Sequence, residues 1–154
     1  MAFHFQLATL LRLRESLERQ ELQRLQNLVA EITQTRAEIE SIDFQVESSR
    51  REVVEQASTG ISGAELHAVA LGEFARLELR ARLIAKLEEL EQQRKEQQSR
   101  YNHARQRREI LSNLRERQFS AYQREQARRE QQQTDELFLI RRSFRKRTGS
   151  ASQA

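Results

Sequence analysis

The chain contains very little that would end a helix. It has no proline in 154 residues, where an average usage of about 5% would give roughly 8. Two of its four glycines, Gly60 and Gly63, lie three residues apart near the first third of the chain. Because proline and glycine are the residues that most disfavour a helix, the sequence predicts a long helix, a single break at 58–63 and a second long helix.

The composition agrees with long helices that share a thin core. Hydrophobic residues make up 37% of the chain and charged residues 32%, against about 45–50% and about 25% in globular domains. That is enough apolar material for one stripe on each helix. Disorder is the alternative for so polar a chain, but the regular spacing of leucine, isoleucine and valine favours helices.

The apolar spacing on both sides of the break predicts a coiled coil. In the first helix, steps of three and four residues connect Leu25, Leu28, Ile32, Thr35, Ile39, Ile42, Val46, Ser49 and Val53, a heptad seam. Ser62 and Glu65 form a capping-box pattern that would start the second helix. The apolar face of that helix is predicted to comprise Leu66, Val69, Ala70, Phe74, Leu77, Ala81, Ile84, Leu87 and Leu90.

These elements predict an all-α fold, an antiparallel coiled-coil hairpin of two long helices. The helices are expected at 5–57 and 64–142, with the turn at 58–63, within one domain at 1–147 and a disordered tail at 148–154. Pairing about the turn matches residue i with roughly residue 121 − i. The second helix is therefore longer and is expected to project past the N-terminus by roughly 30 residues.

Charge and composition narrow the classes of partner. The segment 141–147 holds five basic residues and no acidic one, while the remainder of the chain is close to neutral. A nucleic-acid-binding protein usually carries a broader basic surface or a recognisable module, so no nucleic-acid partner is predicted. No apolar run approaches the length of a membrane span and the N-terminus does not resemble a secretory signal. A cytoplasmic location is expected.

The sequence offers no catalytic constellation. His4, His67 and His103 are too scattered to converge, there are no cysteines, and the glycine pair lacks the spacing and lysine of a phosphate loop. Carboxylates lie among arginines on helix surfaces, and a two-helix hairpin has no water-excluding cleft. We therefore predict no enzymatic activity, no catalytic residue, no metal site and no cofactor.

Two aromatic residues indicate a binding surface. Phe44 lies off the seam of the first helix, and the pairing estimate places it level with Leu77, close to Phe74. With Leu71 these residues are predicted to form an apolar patch, and an exposed aromatic on a thin hairpin is typical of a binding hot spot. The alternative is that Phe74 belongs to the core and Phe44 packs along its own helix.

The N-terminal residues Phe5-x-Leu7-x-x-Leu10-Leu11-x-Leu13-Arg14, preceded by Phe3, resemble the opening of the FliJ family of flagellar type III export components. The end of the chain is similar to that family as well, with a Gln/Arg/Glu-rich helix, then Asp135 and Glu136, then apolar residues and a basic terminus. The chain length and the single mid-chain break agree. The resemblance covers nearly the whole chain.

The resemblance implies a stalk-like coiled coil that associates with the hexameric export ATPase and its regulator. It also implies contacts with the cytoplasmic domain of the export-gate membrane protein and with export chaperones, at the inner membrane. The patch of Phe44, Leu71, Phe74 and Leu77 is the candidate gate surface. The candidate ATPase surface comprises Phe3, Phe5, Leu7, Leu10, Leu11, Phe119, Tyr122, Leu137, Phe138, Ile140, Arg141 and Arg142.

Three alternatives stay open at the level of sequence. The chain is also compatible with a generic structural coiled coil, such as a parallel dimer. A stalk protein of a virulence secretion system would have a similar sequence. A basic-tailed adaptor for nucleic acid or a membrane is the third alternative, and salt-sensitive nucleic-acid binding would favour it.

Overall fold

The computed structural model describes residues 3–150, with side chains up to residue 144. It consists of two helices, α1 at Ala8–Ala57 and α2 at Gly63–Ser150, packed as an antiparallel hairpin. The predicted all-α fold is confirmed. A hairpin within one chain argues against the parallel-dimer scaffold.

Both outer helix ends differ from their predicted positions. α1 begins at Ala8 rather than residue 5, because Phe5 is nonhelical and its carbonyl oxygen accepts the Ala8 N–H at 3.1 Å. α2 continues to Ser150 rather than ending at 142. Arginine and lysine are good helix formers and a single glycine costs only about 1 kcal/mol, so the basic segment extends the helix. The disordered tail at 148–154 stays a prediction, and 151–154 lie outside the described residues.

The turn is built by local hydrogen bonds. Gly60 has a positive φ of 97°, a conformation that favours glycine, and its N–H bonds the carbonyl of Gln56 at 2.9 Å to end α1. The predicted capping box is present at the start of α2. The Glu65 N–H donates to Ser62 Oγ at 3.2 Å, and the Ser62 N–H donates to Glu65 Oε2 at 2.9 Å.

Removing this cap is expected to weaken the hairpin. Ser62→Ala leaves the first N–H groups of α2 without their side-chain acceptor and should lower the free energy of unfolding by about 1 kcal/mol. Urea denaturation followed by circular dichroism measures the change. Ser58→Ala, on the other side of the turn, is the comparison. An unchanged midpoint for Ser62→Ala would show that the capping box is not formed in solution.

The contacts group the chain into two compact units. One is Arg14–Gln106, here called the turn unit; the other, the terminal unit, combines the chain up to Leu13 with the chain from Arg107 onward. The assignment of 1–147 to one domain stays a prediction.

The core of the turn unit follows the predicted α1 seam. Ile32, Thr35, Ile42 and Val46 are buried, and the other predicted seam positions are partly buried: Leu25, Leu28, Ile39, Ser49 and Val53. The predicted register is close as well. Ion pairs join Asp43 with Arg80 and Arg50 with Glu73, each two residues from the 121 − i match.

A polar contact between the two helices lies within this core. Gln97 is 6% exposed, and its amide nitrogen donates to the backbone carbonyl of Glu21 at 3.0 Å and to the Glu21 carboxylate. Burying an amide is costly unless it is hydrogen-bonded. The pair therefore joins α1 and α2 at one defined position.

The predicted packing face of α2 is wrong in its first half. Leu87 and Leu90 do pack towards α1, and Val69 and Ile84 are partly buried. However, five members of the predicted face are exposed: Leu66, Ala70, Phe74, Leu77 and Ala81. Counting back from Leu90 in heptad steps reaches Leu83, Arg80, Arg76 and Glu73, and these partly buried residues face α1 instead.

Candidate partner-binding surfaces

An apolar stripe runs along α2 on the side that does not face α1. We call it the α2 stripe, and it comprises the exposed residues Leu66, Ala70, Phe74, Leu77 and Ala81. Their spacing of three or four residues places them along one side of the helix. Phe74 is 69% exposed. At 1.5 Å per residue the stripe is about 22 Å long.

Ion pairs across the hairpin fix the rotation of α2 that exposes this stripe. Arg80 Nε donates to Asp43 Oδ1 at 2.6 Å, and Arg50 Nε donates to Glu73 Oε1 at 3.1 Å. Arg76 reaches Ser49 Oγ at 3.3 Å. With Glu73, Arg76 and Arg80 turned towards α1, the stripe residues between them face outward.

This arrangement gives up stabilisation within the chain. Burying a leucine or phenylalanine contributes about 1.5–3 kcal/mol, whereas an exposed ion pair contributes roughly 0–1 kcal/mol. The cross-hairpin pairs at Arg50 and Arg80 are of the exposed kind. At the α2 stripe, apolar side chains are thus exposed while charged side chains face α1. Such departures from the usual burial of apolar residues are expected at functional sites.

The structure unites part of the predicted gate patch and separates the rest. Phe74 and Leu77 are one turn apart on the α2 stripe, and Leu71, 58% exposed, lies one turn before Phe74 at its edge. Phe44 is 73% exposed but lies on α1, two residues from both Ile42 and Val46. Two residues correspond to about 200° of helix rotation, so Phe44 lies opposite the seam and does not join the stripe.

The terminal unit contains a cluster of three aromatic residues. The ring of Phe3 contacts Phe119 edge-on, with centroids 5.2 Å apart, and lies 5.7 Å from Tyr122. Such pairs contribute about 0.5–1.5 kcal/mol beyond their buried area. The structure therefore brings these three predicted residues together, where they hold the N-terminal segment against α2.

Two residues predicted on the ATPase surface belong to the core instead. Phe5, in the segment before α1, and Leu11, in the first turn of α1, are 5% and 4% exposed. They are unable to contact a partner directly without rearrangement. Leu7, Leu10 and Phe119 lie at the border of exposure and present part of their surface to solvent.

Beyond the aromatic cluster α2 continues as an exposed helix. Every residue from 127 to 144 is exposed, including the predicted Leu137, Phe138, Ile140, Arg141 and Arg142. The apolar residues there are 51–65% exposed, and Leu139 and Phe144 share this exposure. This is the part of the terminal unit most open to a partner.

A comparison with protein-family models assigns this chain to a family. The family model described as "Flagellar FliJ protein" matches residues 3–148. The chain belongs to the FliJ family. Searches against curated proteins and solved structures gave no match to it. The family is a non-enzymatic component of flagellar export, so this chain is a protein associated with that export process.

The charges of the two units of this FliJ-family chain differ. The terminal unit has 13 basic and 6 acidic residues, and the turn unit has 14 basic and 17 acidic residues. The chain outside 141–147 is nearly neutral, as expected, because the acidic excess of the turn unit offsets the basic excess of the terminal unit. A partner of the terminal unit meets a basic surface, since the excess there is seven charges.

Several carboxylates in this FliJ-family chain are held ionised by their neighbours. The Arg50 hydrogen bond lowers the pKa of Glu73, and Arg94 lowers the pKa of Glu91. The backbone of Ser62 lowers the pKa of Glu65. Because these folded-state pKa values are depressed, the associated stabilisation is present at neutral pH and is lost as the pH falls through them.

Two further observations bear on what this FliJ-family chain can bind. Across the part of the chain that the structure describes, no helix is long and apolar enough to cross a membrane. Within the same residues, no group of three or more histidine, cysteine, aspartate or glutamate side chains is arranged to hold a metal ion.

Sequence reasoning placed Leu66, Ala70 and Ala81 in the core, although all three are exposed. The heptad phase counted back from Leu90 assigns the inward positions to Glu73, Arg76 and Arg80 and so identifies Ala70 and Ala81 as outward. It does not identify Leu66, which is exposed although it lies one heptad before Glu73. Leu139 lies in the same apolar turn as Leu137, Phe138 and Ile140 and is 61% exposed.

Proposed function

We propose that this FliJ-family chain is the stalk-like coiled coil of the flagellar export apparatus. In this proposal its terminal unit associates with the hexameric export ATPase and its regulator, and its turn unit binds the cytoplasmic domain of the export-gate membrane protein. Export chaperones are further partners. The protein acts in the cytoplasm, peripheral to the inner membrane at the export apparatus.

The observation that carries the proposal is the exposed end of α2. Residues 127–144 are exposed on all sides, and the apolar turn 137–140 presents side chains around the whole helix, since successive residues are about 100° apart. A ring that encloses a helix contacts it from every direction. Such a turn therefore suits a ring better than a flat surface or a one-sided groove.

The charge of the terminal unit also supports the proposed contact between the C-terminal end of α2 and the ATPase. The terminal unit has an excess of seven basic residues, and Arg141 and Arg142 follow the apolar turn directly. Complementary acidic groups on the inner wall of a ring would attract this end and fix its orientation. The outward faces of Leu7, Leu10 and Phe119 supply contact at the mouth of the ring.

The α2 stripe supports the contact with the gate. It is apolar, about 22 Å long, and carries the highly exposed Phe74. Large aromatic residues surrounded by smaller contacts are typical of interface hot spots. Leu71 and Leu77 complete this proposed surface, and Phe44 would contribute only to a partner that reaches the back of α1.

Export in a strain that lacks the gene tests this proposal. We expect flagellar substrates to disappear from the culture medium and to return when the wild-type gene is supplied. A gene encoding Phe74→Ser with Leu77→Ser should restore little export although the protein accumulates normally. Full export by the deletion strain would refute the proposed function.

A further inference from the structure

The last turns of α2 change from apolar to basic along the helix axis. Leu137, Phe138, Leu139 and Ile140 are 61%, 65%, 61% and 51% exposed and surround the helix. Five basic residues and no acidic one follow in 141–147, of which the side chains of 145–147 lie outside the described part. The helical backbone continues to Ser150. We call residues 137–147 the C-terminal segment.

The dimensions of this segment match the boundary region of a lipid bilayer. Interfacial helices lie in the membrane plane and bury apolar side chains about 5–10 Å deep at the boundary of headgroups and acyl chains, a depth close to the roughly 5–6 Å radius of a helix with its side chains. Clusters of four to eight basic residues on such helices bind anionic headgroups. The segment places its basic cluster directly beside its apolar turn.

Two other anionic partners fit the segment less well. A groove on a protein is rigid and covers one side of a helix, whereas residues 137–140 are apolar on every side and a fluid bilayer can close around such a turn. Nucleic acid would use the arginines but offers little to four exposed aliphatic and aromatic residues. A bilayer surface accommodates both features at once.

We propose that the C-terminal segment binds anionic phospholipid surfaces, with residues 137–140 below the headgroups and the basic residues at the phosphates. The surplus of basic residues in the terminal unit assists the approach to such a surface. The inference goes beyond the proposed ring contact and does not depend on it. Because a helix enclosed by a ring is unable to lie on a bilayer, the two partners would exclude each other.

Vesicle sedimentation with the full chain tests the proposal. The probes are vesicles of phosphatidylcholine alone and of phosphatidylcholine with 30% phosphatidylglycerol. The charge variant replaces Arg141, Arg142, Arg145, Lys146 and Arg147 by glutamine. A matched control replaces five exposed arginines elsewhere on α2, which gives the same net charge: Arg115, Arg117, Arg124, Arg128 and Arg129.

We expect the wild type to bind anionic vesicles and to bind neutral vesicles far more weakly. Each basic residue near an anionic surface contributes about fivefold in affinity, so the charge variant should lose at least roughly 100-fold. The matched control should lose less than roughly tenfold. Phe138→Ser with Leu139→Ser should also weaken binding by at least about tenfold, while circular dichroism stays unchanged.

Several results would overturn the proposal. These are no binding of the wild type to anionic vesicles, equal losses in the charge variant and its control, and tighter binding to single-stranded RNA at equal phosphate concentration. Stimulation of the ATPase, measured without vesicles, is a separate readout. If the protein stimulates the ATPase but does not bind anionic vesicles, the lipid inference is wrong and the proposed function is unaffected.

Discussion

Replacing Phe74 and Leu77 together by alanine should weaken binding to the cytoplasmic domain of the export gate by roughly 100-fold or more. Hot-spot residues cost at least about 2 kcal/mol each when truncated, and 1.4 kcal/mol corresponds to tenfold in affinity. Both side chains are exposed, so their removal should leave the hairpin folded. Titration calorimetry with the purified gate domain measures the change.

The chain offers a matched control for this pair. Val54 is 73% exposed on α1 and lies off the α2 stripe, so Val54→Ala should bind the gate domain like the wild type. Phe44→Ala is a separate comparison that reports whether the partner reaches the back of α1. Wild-type affinity in the Phe74 and Leu77 variant would remove the α2 stripe as the gate surface.

Deleting residues 135–154 should abolish stimulation of the export ATPase while the hairpin stays folded. The deletion removes the exposed apolar turn and the basic cluster that follows it. Because residues 127–144 are exposed, the described part of the deleted stretch contributes little to the core. The melting temperature should therefore change by no more than about 2 °C, since surface changes usually fall within 0.5 kcal/mol.

The measurements are the ATPase rate with full-length and truncated protein and thermal melting followed by circular dichroism. A full-length variant with Gln131–Gln133 replaced by alanine changes the same exposed helix without removing either feature, and it should stimulate normally. Full stimulation by the truncated protein would place the ATPase contact elsewhere. A much lower melting temperature would show that the deleted residues pack on the hairpin.

The hairpin itself was predictable from local chemistry. The lack of proline, the glycine pair and the capping box of Ser62 and Glu65 each act within a few residues, so no long-range information was needed. The α1 seam was equally readable, because its apolar residues keep one heptad phase from Leu25 to Val53. These are the features that the structure reproduces.

The packing face of α2 was not predictable from hydrophobicity alone. Apolar residues were assumed to face α1, but Phe74 and Leu77 lie outward because Glu73, Arg76 and Arg80 occupy the inward positions. Hydrophobicity identifies residues that favour burial without identifying which partner buries them. An apolar stripe that stays exposed therefore resembles core in the sequence.

The position of Phe44 shows a second limit. The pairing register gives the level of a residue along the hairpin, and the cross-hairpin ion pairs place Phe44 within about two residues of the level of Leu77. Its direction around the helix depends on its distance from the buried residues Ile42 and Val46, which places it on the opposite side. The level of a residue along the hairpin and its direction around the helix are independent. Residues form one surface patch only when they share both.

The contact between Gln97 and Glu21 has a mechanical consequence. Sliding α2 along α1 by one heptad, about 10.5 Å, would bring Leu90 or Ala104 to Glu21 and take the Gln97 amide away from both of its acceptors on Glu21. An unsatisfied buried amide costs about 1–3 kcal/mol, in addition to the misplaced seam. Slippage is therefore penalised, and a pull applied to one helix of the turn unit is transmitted to the other instead of being lost as sliding.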